Sequence, residues 1–136
     1  MVLYSLNNTY LFANSASTIG GYYQARTLAN YSVGALGTIT TAGVSTTPTL
    51  LGSFATNVGY PNSTVIAAGI VNFHVDTQKN AGSNNYYVYF ELYKRDVGGI
   101  ETLLCTSDQT SSSASNAQLN QTTTAFLTTA VNLNLT

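Results

Sequence analysis

The sequence predicts an all-β fold, and specifically an antiparallel β-sandwich of jelly-roll type. β-branched and aromatic residues dominate the chain, and patterns typical of helices are nearly absent. Turn-forming residues interrupt the chain about every 8 to 12 positions, a spacing typical of sandwiches and barrels. The chain has 136 residues, of which 44% are hydrophobic, so it can bury a core of its own. We therefore expect one β-sandwich domain over residues 1–136, with residues 1–20 as a candidate extended N-terminal arm.

The N-terminal half gives weaker patterns than the centre. Residues 9–13 predict a hairpin strand or part of an extended arm, and residues 14–21 predict a loop. Gln, Ala, Arg and Leu within residues 24–28 favour a short helix. A weak strand is expected at residues 38–41, and a further strand at residues 50–56.

Within residues 70–76 the side chains alternate strictly between apolar and polar from Val71 onward, the pattern of a half-buried strand. The apolar residues expected to face the core are Val71, Phe73 and Val75. The polar residues expected on the opposite face are Asn72, His74 and Asp76.

Residues 86–95 predict a second strand, residues 96–99 a hairpin turn, and residues 100–107 an antiparallel return strand. Gly98 and Gly99 supply the freedom to adopt positive φ in that turn. The residues of the second strand expected in the core are Val88, Phe90 and Leu92. Those expected to point outward are Tyr87, Tyr89, Glu91 and Tyr93.

The last third of the chain is polar before it alternates again. Residues 108–116 are rich in Ser, Thr and Gln and predict a loop that is flexible by composition. Most residues on one parity of the tail are apolar, namely Leu127, Val131, Leu133 and Leu135, with Thr129 among them. This pattern predicts a strand that reaches the end of the sequence. Because an uncovered strand tends to pair with other chains, we expect a neighbouring subunit or further sequence to cover it.

The charge balance excludes several classes of function. Only 7% of the residues are charged, against about 25% in ordinary globular domains. With four Lys and Arg residues, the chain lacks the basic surface that nucleic acids and anionic membranes require. No apolar run approaches the length of a membrane span, so we expect no membrane insertion. A net charge of −1 gives little repulsion between copies, which favours an assembly protein.

Few side chains in the sequence carry chemistry. His74 and Asp76 share one strand face, with Cα atoms about 6.5–7 Å apart, and with Asn72 they suggest either a polar ladder or part of a metal site. His74 is the only histidine, and no His, Cys or Asp cluster has ligand spacing, so we favour the structural ladder. Cys105 is the only cysteine and is expected to be a buried, inert thiol. We predict no catalytic residue, no metal site and no cofactor, and therefore no enzyme.

A stripe of aromatic residues marks the second strand. Tyr87, Tyr89 and Tyr93 are expected to point outward, where their rings would stack on sugars or form the centre of a protein interface. We favour packing between subunits over glycan binding. Asn72 and His74 complete the candidate interface or glycan-binding residues.

Three segments at residues 68–75, 86–95 and 98–104 carry a resemblance to a known kind of module. They read Ala-Gly-Ile-Val-Asn-Phe-His-Val, then a strand ending in Tyr-Lys-Arg, then Gly-Gly-Ile-Glu-Thr-Leu-Leu, and residues 47–56 fit the same pattern. This pattern, over about residues 47–107, resembles a β-sandwich module of virion structural proteins of large DNA viruses and phages.

The resemblance implies a capsid, decoration or fibre component that is made in the host cytoplasm and resides in the virion. Its partners would be copies of itself, in a trimer or a surface array, and other virion proteins. The resemblance implies no catalytic residues.

Two other functions remain open from the sequence. One is a receptor- or carbohydrate-binding module that uses Tyr87, Tyr89 and Tyr93 to hold a host-surface glycan. The other is a non-viral extracellular filament or surface-layer subunit. If replacing a tyrosine of the stripe abolishes glycan binding but leaves assembly intact, the binding module is favoured. The shape of the purified particle would decide whether the chain is a filament or surface-layer subunit.

Overall fold

A computed structural model describes residues 9–27, 37–41, 46–57, 64–113 and 116–133. All regular secondary structure within these ranges is β, which confirms the all-β prediction. The chain divides into two compact units, Met1–Ser63 and Thr64–Thr136. The prediction of a single sandwich domain stays a prediction, and the first eight residues of the expected N-terminal arm lie outside the described ranges. Among the described residues no helix is long and apolar enough to cross a membrane.

The first unit contains one three-stranded sheet in the order β1-β2-β3. Its strands are β1 (Thr9–Ala16), β2 (Tyr23–Thr27) and β3 (Phe54–Thr56). β1 and β2 are antiparallel with an irregularity between Phe12 and Ala16, whereas β2 and β3 are parallel.

Three predictions for this unit were wrong. Residues 14–16 belong to β1 rather than to a loop, and residues 24–27 lie in β2 rather than in a short helix. The reason is that β2 is the central strand, so ladders on both sides outweigh the helix propensity of its residues. Residues 38–41 carry no strand. The strand expected at residues 50–56 is confined to Phe54–Thr56, the part that pairs with β2.

The second unit contains six strands in three antiparallel pairs, β4 with β9, β5 with β8, and β6 with β7. Their bounds are Val65–Ile66 for β4, Gly69–Thr77 for β5, Glu91–Arg95 for β6, Glu101–Thr106 for β7, Leu119–Leu127 for β8 and Val131–Asn132 for β9. The apolar residues of the tail are therefore divided between β8 and β9. For the described residues, the prediction of a single tail strand was wrong. Leu135 lies outside them.

The alternation predicted for residues 70–76 is confirmed. β5 pairs with β8 over nine consecutive residues without a bulge. Val71, Phe73 and Val75 are half-buried, and the residues between them are exposed. The residues of β8 that share the inner face are buried, namely Gln121, Thr123, Ala125 and Leu127.

The predicted hairpin is also confirmed, with β6 and β7 as its arms. Gly99 N donates to Asp96 O at 3.0 Å, and Ile100 N donates to Asp96 Oδ1 at 2.8 Å. Gly99 has a φ of 86°, in the region that favours glycine, whereas Gly98 is not among the glycines with positive φ.

Residues 86–90, predicted as part of the second strand, lie before β6 and use hydroxyl groups in place of a regular ladder. Val88 N donates to Thr110 Oγ1 and Phe90 N donates to Ser107 Oγ, each at 2.9 Å. Thr110 and Ser107 are buried. Thr110 therefore gives a structural role to the segment that was predicted to be a loop, and Ser113 of that segment forms an isolated bridge with Tyr86, whereas Ser107 belongs to the predicted return strand.

The inner faces of the second unit meet through aromatic rings. Phe73 stacks on Phe90 with ring centroids 4.8 Å apart and planes 2° from parallel. Buried hydrophobic residues are few in the described ranges, comprising Ala25 in the first unit and Ala125 and Leu127 in the second. The architecture shown is a set of small, mostly antiparallel sheets.

Candidate functional site

The exposed face of the β5–β8 pair carries three polar contacts between directly opposed residues. Asn120 Nδ2 donates to Asp76 Oδ1 at 2.9 Å. Thr122 Oγ1 lies 2.9 Å from His74 Nδ1. Thr124 Oγ1 donates to Asn72 Oδ1 at 3.2 Å. We call these three pairs the outer ladder.

The outer ladder follows from strand geometry. Alternate residues of β5 point to one face, and the bulge-free register places each one opposite the corresponding residue of β8. The sequence pattern correctly grouped Asn72, His74 and Asp76 on that face, where all three are exposed. It did not identify Thr122 and Thr124, because their partners lie 48 and 52 residues away in the sequence.

An apolar pair continues the same face beyond the outer ladder. Ile70 lies opposite Phe126, and the two side chains are 58% and 63% exposed. Sequence reasoning missed Phe126. The inward parity of Leu127 is the signal that places its neighbour Phe126 on the outer face.

A second exposed surface surrounds β6. Tyr87 is 47% exposed, Tyr93 44% and Leu103, which pairs with Tyr93, 48%. Tyr93 Oη donates to Glu91 Oε2 at 3.0 Å. We call Tyr87, Glu91, Tyr93 and Leu103 the tyrosine surface. Tyr89, the third tyrosine of the predicted stripe, is half-buried and is therefore less exposed than expected.

A bulge explains why Leu103 joins this surface. The register of β6 and β7 shifts between Leu92 and Tyr93, so that Leu92 pairs with Cys105 and Tyr93 pairs with Leu103. The extra residue, Leu104, is half-buried. No local sequence pattern marks this shift, because a bulge depends on the pairing of two strands.

Two pKa shifts belong to this hairpin. The hydrogen bond from Tyr93 to the Glu91 carboxylate raises the pKa of the Tyr93 phenol, because ionisation would place two negative oxygens together, and desolvation adds to the effect. Burial raises the pKa of the Cys105 thiol. Cys105 is half-buried rather than fully buried as predicted.

The outer ladder and the tyrosine surface are separate. Asn72 and His74 alternate with Phe73, and Tyr87 and Glu91 alternate with Phe90, so both sets point away from the contact between the two Phe rings. The structure therefore does not bring the five predicted site residues into one site. Their role as interface or glycan-binding residues stays a prediction.

The second unit also has a groove of about 430 Å³ at the turn end of the β6–β7 hairpin. Lys94 Nζ lines it and donates to Asn132 O at 2.7 Å. The part of the chain that the structure describes contains no group of three or more His, Cys, Asp and Glu side chains placed to hold a metal ion.

Comparison with family models, curated proteins and solved structures finds no match to this chain. The resemblance to a virion module over residues 47–107 therefore stays a prediction.

Proposed function

We propose that this chain is a non-enzymatic structural protein that assembles with copies of itself, as a capsid, decoration or fibre component of a virion. One observation carries the proposal. In the described ranges eleven large hydrophobic side chains are exposed, whereas the buried hydrophobic residues are three, and two of those are alanines. Contiguous exposed apolar surface on a soluble protein marks a site of interaction.

The apolar residues on the second unit support association in physical terms. Ile70 with Phe126, and Tyr93 with Leu103, form adjacent exposed pairs on strands rather than isolated side chains. Removing apolar area from water is favourable by about 25 cal/mol per Å². A stable interface needs about 800 Å² from each partner, and large aromatic side chains supply such area efficiently.

The virion assignment rests on the sequence pattern of residues 47–107 and on the nearly uncharged, hydroxyl-rich composition. In this proposal the small sheets of the second unit are parts of a β-sandwich of jelly-roll type. The partners are further copies, in a trimer or an array, and other virion proteins. The protein is made in the host cytoplasm and resides in the virion.

Sedimentation velocity on the purified chain, from about 1 to about 100 µM, tests the assembly. We expect discrete species larger than the 14.4 kDa chain, and electron microscopy of those species to show closed rings, shells or fibres. A single monomeric species over the whole range would overturn the proposal. Extended sheets or filaments without closed particles would favour a filament or surface-layer subunit instead.

The tyrosine surface favours one alternative, a receptor- or carbohydrate-binding module. The exposed ring of Tyr93, whose hydroxyl contacts the Glu91 carboxylate, and the exposed ring of Tyr87 provide the stacking and hydrogen bonding that sugars require. Tyr93→Ala and Tyr87→Ala, tested on a glycan array and by sedimentation, separate the two functions. Loss of glycan binding with assembly intact would establish the alternative. Phe126→Ala, at an exposed aromatic on the other surface, is the control for glycan binding alone and should leave that binding unchanged.

A further inference from the structure

β5 has one edge without a strand partner among the described residues. Its other edge pairs with β8 along all nine residues. Every second residue of a strand directs its N–H and C=O groups to one edge, so the open edge presents a row of hydrogen-bonding groups. Proline, lysine and bulges commonly protect such edges, and β5 contains none of these.

The five central residues of β5 are symmetric about its middle residue. Phe73 is flanked by Asn72 and His74, and these are flanked by Val71 and Val75. When two antiparallel copies of the strand meet about a two-fold axis at Phe73, within residues 71–75 each valine lies opposite a valine and each polar residue lies opposite a polar residue. Asn72 of one copy then lies opposite His74 of the second copy, and an amide and an imidazole can hydrogen-bond.

We propose that the open edge of β5 pairs with β5 of a second copy of this chain, forming a continuous four-stranded sheet in the order β8-β5-β5-β8. This inference rests on the proposed function and specifies the edge through which assembly begins. A second copy is the occupant because a two-fold interface requires a self-complementary patch, which the symmetric pattern supplies. Pairing with an unrelated strand would not require the sequence of β5 to be self-complementary.

The register centred on Phe73 is the one that the strand favours. It pairs all nine residues of β5 and keeps the inner and outer faces of the two sheets continuous. Its mismatched pairs, Ile70 with Asp76 and Gly69 with Thr77, lie toward the ends of the strand, where the Asp76 carboxylate is exposed and accepts from Asn120. A register centred on Val75 would place His74 opposite Asp76, but it would align only residues 73–77 of the two strands.

Lysines on the edge strand test the proposal directly. In the double variant Asn72→Lys with His74→Lys, the introduced lysines of the two copies would lie opposite each other, and like charges in that position are destabilising. We expect self-association to weaken by roughly tenfold, because each two-fold interface would contain two such like-charge pairs. The matched control is Thr122→Lys with Thr124→Lys, which adds the same charge to the same face of the same sheet but one strand away from the edge, and we expect it to weaken self-association less than the edge variant does.

A cross-link reports the register without depending on the lysine variants. In a Cys105→Ser background we would mix the single variants Asn72→Cys and His74→Cys under mild oxidation. Opposed Cβ atoms in an antiparallel pair lie about 4.5–5.5 Å apart, close enough for a disulfide after a small adjustment. We expect a covalent dimer in the mixture and much less in a mixture of Thr122→Cys and Thr124→Cys.

The outcomes separate this inference from the proposed function. Association that the edge lysines leave unchanged in a folded protein, with no cross-link in the mixture, would overturn the β5 pairing and leave assembly standing. A wild-type chain that stays monomeric at all concentrations would overturn both. If the lysine variant does not fold by circular dichroism, the cross-link decides alone, since its presence supports the pairing and its absence overturns it.

Discussion

Threonine side chains on β8 have different roles depending on the face to which they point. Thr122 is exposed and contacts His74, whereas its neighbour Thr123 is buried and its hydroxyl donates to the main-chain oxygen of Asp108. Asp108 N in turn donates to Thr124 O at 2.9 Å. The Thr123 hydroxyl therefore hydrogen-bonds β8 to the segment that follows β7, whereas the Thr122 hydroxyl makes no contact with that segment.

This difference predicts unequal effects of the same substitution. Thr123→Val removes the donor to a part-buried carbonyl, and we expect the free energy of unfolding to fall by about 1–3 kcal/mol. Thr122→Val loses an exposed contact and should change it by less than about 0.5 kcal/mol. Urea unfolding followed by circular dichroism measures both. Equal stability of the two variants would contradict the assigned role of Thr123.

The hairpin turn makes a second prediction at the residue scale. Gly99 has a φ of 86°, and a Cβ there would lie 3.0 Å from Arg95 Nη2. We expect Gly99→Ala to destabilise the fold by about 1–2 kcal/mol, because left-handed backbone is costly for residues with a side chain. Gly98→Ala in the same turn is the control and should cost less. Thermal unfolding compares them, and a larger loss at Gly98 would refute the argument.

The thiol of Cys105 predicts a pH dependence. Because burial raises its pKa, the folded chain holds the proton to higher pH than the unfolded chain does. The associated stability is present below the unfolded-state pKa, about 8.5, and is lost as pH rises through the folded-state value. Alkylation rates should therefore rise at higher pH in folded protein than in urea. A folded midpoint at or below the unfolded one would contradict the shift.

At the scale of elements, the sequence predicted the structure best where a strand has one face exposed to solvent and one face turned to the core. Strict alternation placed β5 and its faces correctly, and the glycines after Asp96 placed the hairpin turn. Both signals are local, since they depend only on residues within one strand or one turn.

The errors arose where pairing between distant residues decides the structure. Residues 24–27 lie in the central strand β2 because β1 pairs with all four of them, and because β3, about 30 residues later, pairs with Gln24 and Ala25 in parallel. The outer ladder needs β8, and Leu103 reaches the tyrosine surface only because of a bulge opposite Tyr93. None of these pairings leaves a local pattern in the sequence.

The two faces of the β5–β8 pair predict a separation of stability from assembly. Phe73 stacks on Phe90, so Phe73→Ala should lower the free energy of unfolding by about 2–3 kcal/mol, somewhat below the cost at a fully buried site. Phe126 is 63% exposed, so Phe126→Ala should leave stability nearly unchanged and weaken self-association. Urea unfolding measures the change in stability and sedimentation velocity the change in self-association. A large loss of stability in Phe126→Ala would contradict the separation of the two faces.

For the whole molecule, the scarcity of charge constrains how copies can associate. The chain carries four Lys and Arg residues and five Asp and Glu residues. Within the described ranges one ion pair joins opposite strands, Arg95 Nη1 to Glu101 Oε1 at 3.7 Å, and it lies at the turn end of the hairpin. Contacts between copies would therefore depend on apolar burial and backbone hydrogen bonds, which salt screens little.

This dependence predicts an unusual response to salt. Between about 50 and about 500 mM NaCl the dissociation constant for self-association should change by less than about threefold, because few charges are available to be screened. Ammonium sulfate at matched ionic strength should strengthen association, since excluded salts favour burial of apolar surface. Strong NaCl dependence would argue against apolar assembly, whereas a flat NaCl response with a sulfate effect would support it.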